Sequence, residues 1–353
     1  MKLTALYIAV VSISVSCSAR IISQRSPSNL TPYPNRPVIE LPLGTWAENL
    51  AVRSNGQILV NLLNTPQILQ VDPLSLQKPI LVHQFPNPDK NDGLLGIVEM
   101  QQDVFYVAFG SLNVTIGQGK PGTFSVWEVD MNPFQLGENE SVVSPAKVQK
   151  LVAMPEAKIL NGMTALDKDQ NTTLIADSQA GAVWKLNVWT REYEVIIKDP
   201  LMDPGSFIGV NGIKIQNGYL YFTNSAAGSL NRVPINADGT AKAPAETVQT
   251  GLTSADDFTF DEAGNAYLVQ NTVNQLTEIS AKGQVTTLVG GLNDSYLSGA
   301  TAVQFGRTVL DDEVLYVTTS GGQGAPVNGK IVPGKVVAVL TGSKASNGTL
   351  KSK

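Results

Sequence analysis

Four oxygen-bearing side chains stand at the start of similar short apolar runs in this chain. They are Glu48, Asn161, Asn211 and Asp256, and the last three follow one another at 211 − 161 = 50 and 256 − 211 = 45 residues. Two carboxylates and two carboxamides form an oxygen-rich set of the kind that binds calcium, magnesium or manganese, whereas zinc and copper favour sulfur or imidazole. A set of four in register therefore predicts a site for a divalent cation. The alternative interpretation is that Asn and Asp begin strands because they cap turns and satisfy backbone groups.

The elements that must position these residues form a repeat. Each polar residue opens a run of alternating apolar and polar residues, which a turn connects to a second β-rich run that ends in small polar residues. A further repeat begins at Ser298, 298 − 256 = 42 residues after Asp256, and a copy without a polar residue begins at Leu94. Six repeats of this length predict an all-β fold, a six-bladed β-propeller of four-stranded antiparallel blades. Because the first strand of every blade lines the central channel, we expect the four polar residues to converge on its axis.

The repeat extends over nearly the whole chain and predicts one propeller domain over residues 37–340. We expect the segment that begins at Pro37 to add an outer strand to the last blade, beside residues 335–340. Residues 20–36 and 341–353 are rich in Ser, Pro, Asn and Lys, which predicts mobile tails. Tight turns between first and second strands are predicted at 53–56 and 261–264 because both end in Gly.

Residues 1–19 have the pattern of a secretory signal peptide, with an early Lys, a short apolar core and small residues before the expected cleavage site. The single cysteine, Cys17, lies inside this segment, so we expect a mature protein without a disulfide. Six Asn-x-Ser/Thr acceptors in predicted loops favour a secreted protein or one in an endomembrane lumen. These are Asn29, Asn113, Asn139, Asn171, Asn293 and Asn347.

The net charge of −5, without a run of Lys or Arg, argues against nucleic acid or an anionic membrane as a partner. After the first 19 residues, no segment has the roughly 20 successive apolar residues that a membrane span needs. We therefore expect small-molecule substrates, a monomer by default and no organic cofactor.

The order of Glu48, Asn161, Asn211 and Asp256 at the starts of four inner strands resembles the senescence marker protein/gluconolactonase (regucalcin) family of six-bladed propellers. The resemblance implies a divalent ion on these residues and hydrolysis of a lactone, with Asp256 helping to activate water. Sugar lactonases of that family have an Arg two residues before the first metal-binding Asn, where this chain has Ile159. A sugar is therefore not the expected substrate. The one histidine, His83, is expected in a surface loop.

A second resemblance rests on the opening Trp46-Ala-Glu-Asn-Leu-Ala, the glycosylation acceptors and the lack of a mature cysteine. With these features the chain is similar to the hetero-Diels–Alderases of tropolone-sesquiterpenoid biosynthesis. The resemblance implies dehydration of a hydroxymethyl-bearing polyketide to a quinone methide, which is then joined to a humulene-type alkene. Acid assistance makes Asp256 and Glu48 the candidate catalytic residues, and holding two reactants in a reactive orientation contributes about 7–11 kcal/mol in favourable cases.

Candidate substrate-contacting residues come from the ends of the second strands and from loops above the inner strands. They are Trp46, Phe109, Ile159, Asp177, Phe207, Asn224, Asn271, Tyr296 and Ser320. Packing between blades accounts for many aromatic residues equally well. A pocket with apolar walls and a polar floor suits an apolar, oxygenated small molecule. Strand alternation predicts that Asp257 faces away from Asp256.

Three functions are open from the sequence. The first is a hetero-Diels–Alderase of secondary metabolism, which the lack of a nucleophile–His–Asp set favours. The second is a divalent-metal-dependent lactonase, which the four oxygen-bearing residues favour. The third is a non-catalytic secreted binding propeller, because this fold is often used for recognition.

Overall fold

The computed structural model describes residues 33–74, 78–88, 90–169 and 171–346. Within these ranges the chain forms 27 β-strands, one 3-10 helix at Pro200–Met202 and no α-helix. The strands build six antiparallel sheets that form blades and one separate two-stranded sheet. The innermost strand of each blade contacts those of the two neighbouring blades, so that the ring closes. The predicted six-bladed propeller is confirmed. No helix in the described ranges is both long and apolar enough to cross a bilayer.

Blades are numbered along the chain, and each blade runs from the channel outwards. After β1 (Asn35–Glu40), blade 1 contains β2 (Ala47–Val52), β3 (Ile58–Leu62), β4 (Gln67–Val71) and β5 (Ile80–Gln84). Blade 2 contains β6 (Asp92–Gln101), β7 (Val104–Asn113), β9 (Ser125–Asp130) and β12 (Lys147–Ala153); the short β8 (Gln118–Gly119) pairs with β7, and β10 (Gln135–Leu136) and β11 (Val142–Ser144) form the two-stranded sheet. Blade 3 contains β13 (Leu160–Asp167), β14 (Thr172–Asp177), β15 (Ala182–Asn187) and β16 (Tyr193–Lys198).

The strands of blades 4 to 6 are β17 (Val210–Gln216), β18 (Tyr219–Asn224), β19 (Ser229–Pro234) and β20 (Glu246–Thr250); β21 (Ala255–Phe260), β22 (Ala266–Gln270), β23 (Gln275–Ile279) and β24 (Val285–Gly290); and β25 (Ala300–Phe305), β26 (Val314–Thr319) and β27 (Lys335–Leu340). Blade 6 takes its fourth, outermost strand from the other end of the chain, since β1 pairs with β27. This is the ring closure that the sequence predicts.

Strands and hydrogen bonds extend slightly beyond both ends of the predicted domain. Strand β1 begins at Asn35, two residues before the predicted domain boundary. Beyond β27, the carbonyl of Lys344 accepts a hydrogen bond from Glu262 N, and Ser346 N donates to the carbonyl of Phe260. Lys344 and Ser346 are therefore hydrogen-bonded to blade 5.

The core lies between the blades. Six separate clusters of buried apolar side chains occur, one at each interface between neighbouring blades. Leu59 of blade 1 and Phe105 of blade 2, for example, are fully buried in the same cluster. This packing explains why the strands are rich in Val, Ile, Leu and Phe, because both faces of each sheet are covered.

The predicted tight turns between first and second strands are present in blades 1 and 5. Gly56 and Gly264 adopt φ values of 87° and 85°, a left-handed conformation that glycine reaches without steric cost. Both turns lie at the channel end opposite to the starts of the inner strands, which separates them from the candidate site.

Each of the six inner strands contains a β-bulge near its start. In blade 3, Leu160 pairs with Asp177 and Met163 pairs with Ile175, which leaves two residues, Asn161 and Gly162, opposite one. The same two-against-one register occurs in every blade, and the first bulge residues are Glu48, Leu95, Asn161, Asn211, Asp256 and Thr301. We call these six residues the head ring. The equivalent residue of the last repeat is therefore Thr301, and the expectation that Ser298 leads that repeat is wrong.

A bulge locally changes the direction of side chains, and here it is fixed by the neighbouring blade. Asn61 Nδ2 donates to the carbonyl of Leu95 at 2.8 Å, and Thr223 Oγ1 donates to the carbonyl of Asp256 at 2.6 Å. Both donors occupy the strand position that faces a bulge, and both reach the bulge of the next blade. Side chains of the second strands thus connect blade 1 to blade 2 and blade 4 to blade 5 at the head ring.

Candidate functional site

The structure places the four predicted polar residues at equivalent positions of the head ring, in blades 1, 3, 4 and 5. Glu48, Asn161 and Asn211 are buried, and Asp256 is half-buried. In blade 2 the same position is held by buried Leu95, as the copy without a polar residue predicts. The floor of this channel mouth is therefore polar on most of its circumference and apolar at blade 2.

Blades 4 and 5 carry a continuous hydrogen-bonded network, which we call the closed sector. Asn211 Nδ2 donates to Asp256 Oδ1 at 2.9 Å and to Ser225 Oγ at 3.0 Å. Asn271 Nδ2 donates to Asp256 Oδ2 at 3.3 Å. Both carboxylate oxygens of Asp256 thus accept a hydrogen bond from a carboxamide, and the closed sector comprises Asn211, Ser225, Asp256 and Asn271.

Glu48 lies in blade 1 and accepts a hydrogen bond from Trp46 Nε1 at 2.6 Å. Burial raises the pKa of Glu48 to about 7, the negative charge of Asp257 adds to this, and the Trp46 bond opposes it. Burial, followed by the charges of Glu48 and Asp257, raises the pKa of Asp256 well above its ordinary value, against the hydrogen bonds from Asn271 and Asn211. The site therefore favours a proton or a cation near this pair of carboxyl groups.

Asp257 is adjacent to Asp256 in the sequence, but its carboxylate has different hydrogen-bonding and ion-pair partners. It is the second bulge residue of β21 and is almost fully buried. Lys214 Nζ lies 2.7 Å from Asp257 Oδ1, and Asn49 Nδ2 donates to Oδ2 at 3.3 Å. The adjacent carboxylates consequently face different surroundings, and Lys214 forms its ion pair with Asp257.

The blade 2 and blade 3 side of the floor, which we call the open sector, comprises Leu95, Asn161 and Ser178. The Asn161 carboxamide makes no hydrogen bond to the residues that the structure describes, and the fully buried Ser178 hydroxyl has no partner there either. Leu95 packs in the same apolar cluster as Trp46 and Leu63. An apolar surface and an unused carboxamide therefore lie side by side.

The donor set fits a hard divalent cation in its chemistry. Two carboxylates and two carboxamides supply only oxygen, and neither Glu48 nor Asp256 forms an ion pair with a Lys or Arg within the described ranges. Among the same residues, no three His, Cys, Asp or Glu side chains form a group suited to a metal. A cation at the head ring would therefore depend on the carboxamides of Asn161 and Asn211 as well as on the carboxylates.

Several predicted wall residues hold loops or fill the core. Asp177 is fully buried and accepts hydrogen bonds from the backbone N–H of Ile159 and from Trp184 Nε1. Asn224 Nδ2 donates to the carbonyls of Leu201 and Asp203. These side chains fix the loops above blades 3 and 4, so their contribution to the site is to its shape.

Phe109 packs against Phe85 and Trp127 between blades 1 and 2. Ser320 is fully buried, and its hydroxyl has no partner in the described part of the chain. In this conformation both side chains lie within the protein interior.

The remaining predicted wall residues lie nearer the mouth. Trp46 and Asn271 contact the carboxyl groups of the head ring, as described above. Ile159 is buried beside the open sector, whereas Phe207 is 43% exposed. Tyr296 is half-buried, with the Lys335 ammonium 5.5 Å from its ring centre.

Sequence reasoning missed Ser178, Ser225 and Leu63 as residues of the floor. Each directly follows the second strand of its blade, at the position that Asn271 occupies in blade 5. Aligning the ends of the second strands, rather than only the starts of the first, would have found them.

The glycosylation acceptors differ in their surroundings. Asn113, Asn139 and Asn293 are exposed, whereas Asn171 is half-buried and its Oδ1 accepts a hydrogen bond from Gln101 Nε2 at 2.6 Å. Asn29 and Asn347 lie outside the described residues, as do the predicted signal peptide and Cys17. His83 lies in strand β5 against Phe85, so its assignment to a surface loop is wrong.

No family model matches the chain. The sequence is 31% identical over 319 residues to a Phoma sp. protein named "Putative hetero-Diels-Alderase", with 82% of this chain and 88% of that protein covered. It is 29% identical over 326 residues to a Sarocladium schorii protein of the same description, with 81% and 78% covered.

A calcium-binding regucalcin from Agrobacterium tumefaciens has a similar fold, with a TM-score of 0.59, 12% identity, and 89% of this chain and 96% of that chain covered. This likeness supports the propeller architecture alone, because the identity is low. The identity to the Phoma protein is higher, at 31% over most of both chains. It shows that this chain belongs to the hetero-Diels–Alderase family of enzymes.

Proposed function

We propose that this protein is a hetero-Diels–Alderase that dehydrates a hydroxymethyl-bearing polyketide and joins the resulting quinone methide to a humulene-type sesquiterpene. The observation that carries this proposal is the division of the channel floor into the polar closed sector and the apolar surface around Leu95. One reactant is an oxygenated ring, and the other is a hydrocarbon with little to hydrogen-bond. A floor with one polar and one apolar side can hold both reactants against each other.

The closed sector suits the oxygenated reactant. Asp256 is fixed by the carboxamides of Asn211 and Asn271, so its orientation does not depend on the substrate. A protonated carboxyl group gives its proton to the departing hydroxyl as the C–O bond breaks, water leaves, and the ring hydroxyl returns a proton to the carboxylate. The elevated pKa of Glu48, about 7, supports a carboxyl group that carries a proton near neutral pH.

The cycloaddition itself needs orientation and the exclusion of water, because no proton moves in the bond-forming step. Leu95, Leu63 and the Trp46 ring offer a buried apolar surface next to the polar floor. Burial of an alkene on such a surface is favourable by about 25 cal/mol per Å² of apolar area. Proximity is the main contribution of the protein to this step.

A divalent cation is compatible with the same site. Glu48, Asn161, Asn211 and Asp256 would hold it through their oxygen atoms, and when bound it would polarise the oxygen of the substrate. The support is the chemistry of the donor set, together with the finding that neither Glu48 nor Asp256 forms an ion pair with a Lys or Arg of the described ranges.

The test is incubation with a hydroxymethyl tropolone precursor and humulenol, with chiral chromatography of the product. We expect one stereoisomer at a rate above background, and a loss of about 10²- to 10⁴-fold in Asp256→Asn. The control is Asp238→Ala, which alters an exposed carboxylate in the loop between β19 and β20 and should leave the rate unchanged. Product at the uncatalysed rate and stereochemistry with the unmodified protein would remove the proposal.

A metal-dependent lactonase is the second candidate, and the oxygen-rich head ring is the observation that favours it. A panel of lactones is assayed with calcium, with and without EDTA, for the protein and for Glu48→Gln. Hydrolysis that both EDTA and the substitution abolish would support this function. Hydrolysis that neither treatment affects would exclude it.

We also propose that the protein acts in the secretory pathway. The exposure of three acceptor asparagines, Asn113, Asn139 and Asn293, supports this. Expression in a secreting host, followed by endoglycosidase treatment and mass spectrometry, tests it. An unmodified protein that retains residues 1–19 would contradict it.

A further inference from the structure

The connections between second and third strands differ in length among the blades, and all of them lie at the channel end that carries the head ring. In blades 2 and 6 they comprise 125 − 109 − 1 = 15 and 335 − 319 − 1 = 15 residues, where the blade 2 connection is counted from the paired residues Phe109 and Ser125. In the other blades the connection has only four residues: 63–66, 178–181, 225–228 and 271–274. Two long loops, 110–124 and 320–334, therefore adjoin the candidate site.

The blade 6 loop lies beside the closed sector. A Cβ added at Gly324 would lie 3.6 Å from Trp46 Cη2 and 3.7 Å from Asn271 Oδ1, which is ordinary van der Waals contact with both. Trp46 and Asn271 are the residues that donate hydrogen bonds to Glu48 and to Asp256. This loop therefore spans the polar side of the mouth, from blade 5 to blade 1.

The blade 2 loop folds as a hairpin that lies on the loops of blade 3. Strand β7 continues to Asn113 and pairs with β8, which leaves residues 114–117 as the hairpin tip. Gly119 N donates a hydrogen bond to Gln179 Oε1 at 3.1 Å, and a Cβ added at Gly119 would lie 2.9 Å from Ile159 Cγ1. Gln179 directly follows Ser178, so the hairpin rests above the open sector.

The hairpin tip reaches the loop that precedes blade 4. A Cβ added at Gly117 would lie 2.8 Å from Phe207 Cδ2 and 3.1 Å from Ile208 Cγ2, so the backbone of the tip is packed directly against these two side chains. The hairpin thus extends from blade 2 across blade 3 to the edge of blade 4.

An apolar surface runs from the floor of the site to this hairpin. Leu112 and Ile208 are half-buried and pack against the same cluster of apolar side chains that contains Leu95. At the outer end of this surface, Ile116 is 54% exposed and Phe207 is 43% exposed. Exposed apolar side chains that continue the apolar lining of a candidate site are typical of a ligand-binding groove.

We infer that Ile116 and Phe207 contact the apolar reactant and determine which alkene the enzyme accepts. This inference rests on the proposed function for the identity of that reactant. A hydrocarbon forms no hydrogen bonds, so its affinity depends on the apolar area that it covers. Leu95 contributes only the floor of such a surface, and the hairpin tip and Phe207 enlarge it on the side away from the two carboxyl groups.

Substitutions at the hairpin tip test the inference with little risk to the fold, because Ile116 is more than half exposed. Ile116→Ser removes the apolar side chain, and Ile116→Leu retains an apolar side chain of the same size. Ile116 lies outside the glycosylation acceptor 113–115, so both changes leave that acceptor intact. The matched control is Leu310→Ser, which removes a side chain that is 73% exposed in the loop between β25 and β26, at the opposite end of the channel. The melting temperature reports whether each variant folds normally.

The binding experiment uses humulenol alone as the probe, with isothermal titration calorimetry in EDTA, so that neither a cation nor the cycloaddition is required. We expect Ile116→Ser and Phe207→Ala to bind humulenol about tenfold more weakly than the unmodified protein, because each loses apolar contact area. Ile116→Leu and Leu310→Ser should bind it as the unmodified protein does. The affinity for tropolone should be the same in all five proteins. Equal binding of humulenol by all of them, no binding by the unmodified protein, or a parallel loss of tropolone binding would overturn the inference.

A second measurement distinguishes this inference from the proposed function. With both reactants, Ile116→Ser should raise KM for the alkene about tenfold and leave KM for the oxygenated reactant unchanged. If no cycloaddition occurs but humulenol binding still depends on Ile116, the proposed function fails and the binding surface stands. If cycloaddition is catalysed and KM for the alkene is unchanged in both Ile116→Ser and Phe207→Ala, the proposed function stands and the inference is wrong.

Discussion

The closed and open sectors are built from the same repeat but differ in what their neighbours offer. Asn211 meets a carboxylate from the next blade, Asp256, and is fixed in a network. Asn161 stands between Leu95 and an Asn211 that is already engaged. Whether a polar residue of the head ring is structural or available to a ligand therefore depends on the adjacent blade. The residue type and its place in the repeat are the same in both cases.

The largest expected effect is at the boundary between the sectors. A Cβ added at Gly162 would lie 2.4 Å from the carbonyl oxygen of Asn211, far inside van der Waals contact with the backbone of blade 4. We expect Gly162→Ala to lower the free energy of unfolding by about 3 kcal/mol, measured by urea denaturation. The equivalent residue of blade 6 is Ala302, and Ala302→Gly should cost only about 1 kcal/mol. Similar losses of unfolding free energy in both variants would show that the close contact of Gly162 with blade 4 does not make this position unusually sensitive to substitution.

The second effect concerns pH. Glu48 has an ordinary pKa of 4.5 and a pKa of about 7 in the fold, so the folded state binds this proton more tightly than the unfolded state. The stabilisation is complete below pH 4.5 and is lost as the pH rises to 7, by about 3 kcal/mol. In EDTA, Glu48→Gln should flatten this part of the pH profile of unfolding, whereas Asn161→Leu should not. An unchanged profile in Glu48→Gln would contradict the assignment.

The smallest effect compares the two serines directly. Ser225→Ala removes a hydrogen bond to Asn211 and one to the carbonyl of Ala255, and should destabilise the fold by about 1–2 kcal/mol. Ser178→Ala removes a hydroxyl that has no partner among the described residues and should change stability by less than about 0.5 kcal/mol. Thermal denaturation of both variants measures the difference. If Ser178→Ala is as destabilising as Ser225→Ala, the Ser178 hydroxyl makes a stabilising contact and the contrast between the two sectors is wrong.

The sequence was sufficient for the fold and for four of the six members of the head ring, Glu48, Asn161, Asn211 and Asp256. The alternation of residues around Asn211 and Asp256, and the spacing between them, follow from strand geometry and from the size of a blade. The exact register required the structure, because the first bulge residue of blade 6 is Thr301, whereas the sequence predicts that this repeat begins at Ser298. A bulge depends on hydrogen bonds between strands, which local sequence patterns do not encode.

The wall residues were harder to predict for the same reason. Asp177 and Asn224 have the polar character of ligand-binding residues, but they hydrogen-bond to loops of their own protein. Composition alone does not distinguish a carboxylate that holds a loop from one that faces a substrate. The distinction requires the distances to its partners.

By itself, the sequence determined that six similar β-sheets form a ring and that Glu48, Asn161, Asn211 and Asp256 lead four of their inner strands, because period and alternation are local properties of the chain. The tertiary structure alone decided that the Asn211 side chain is bonded to Asp256, whereas the Asn161 side chain, beside Leu95, makes no hydrogen bond to any residue that the structure describes. That difference depends on which side chain the neighbouring blade presents, and residues about 50 positions apart meet only when the ring has closed.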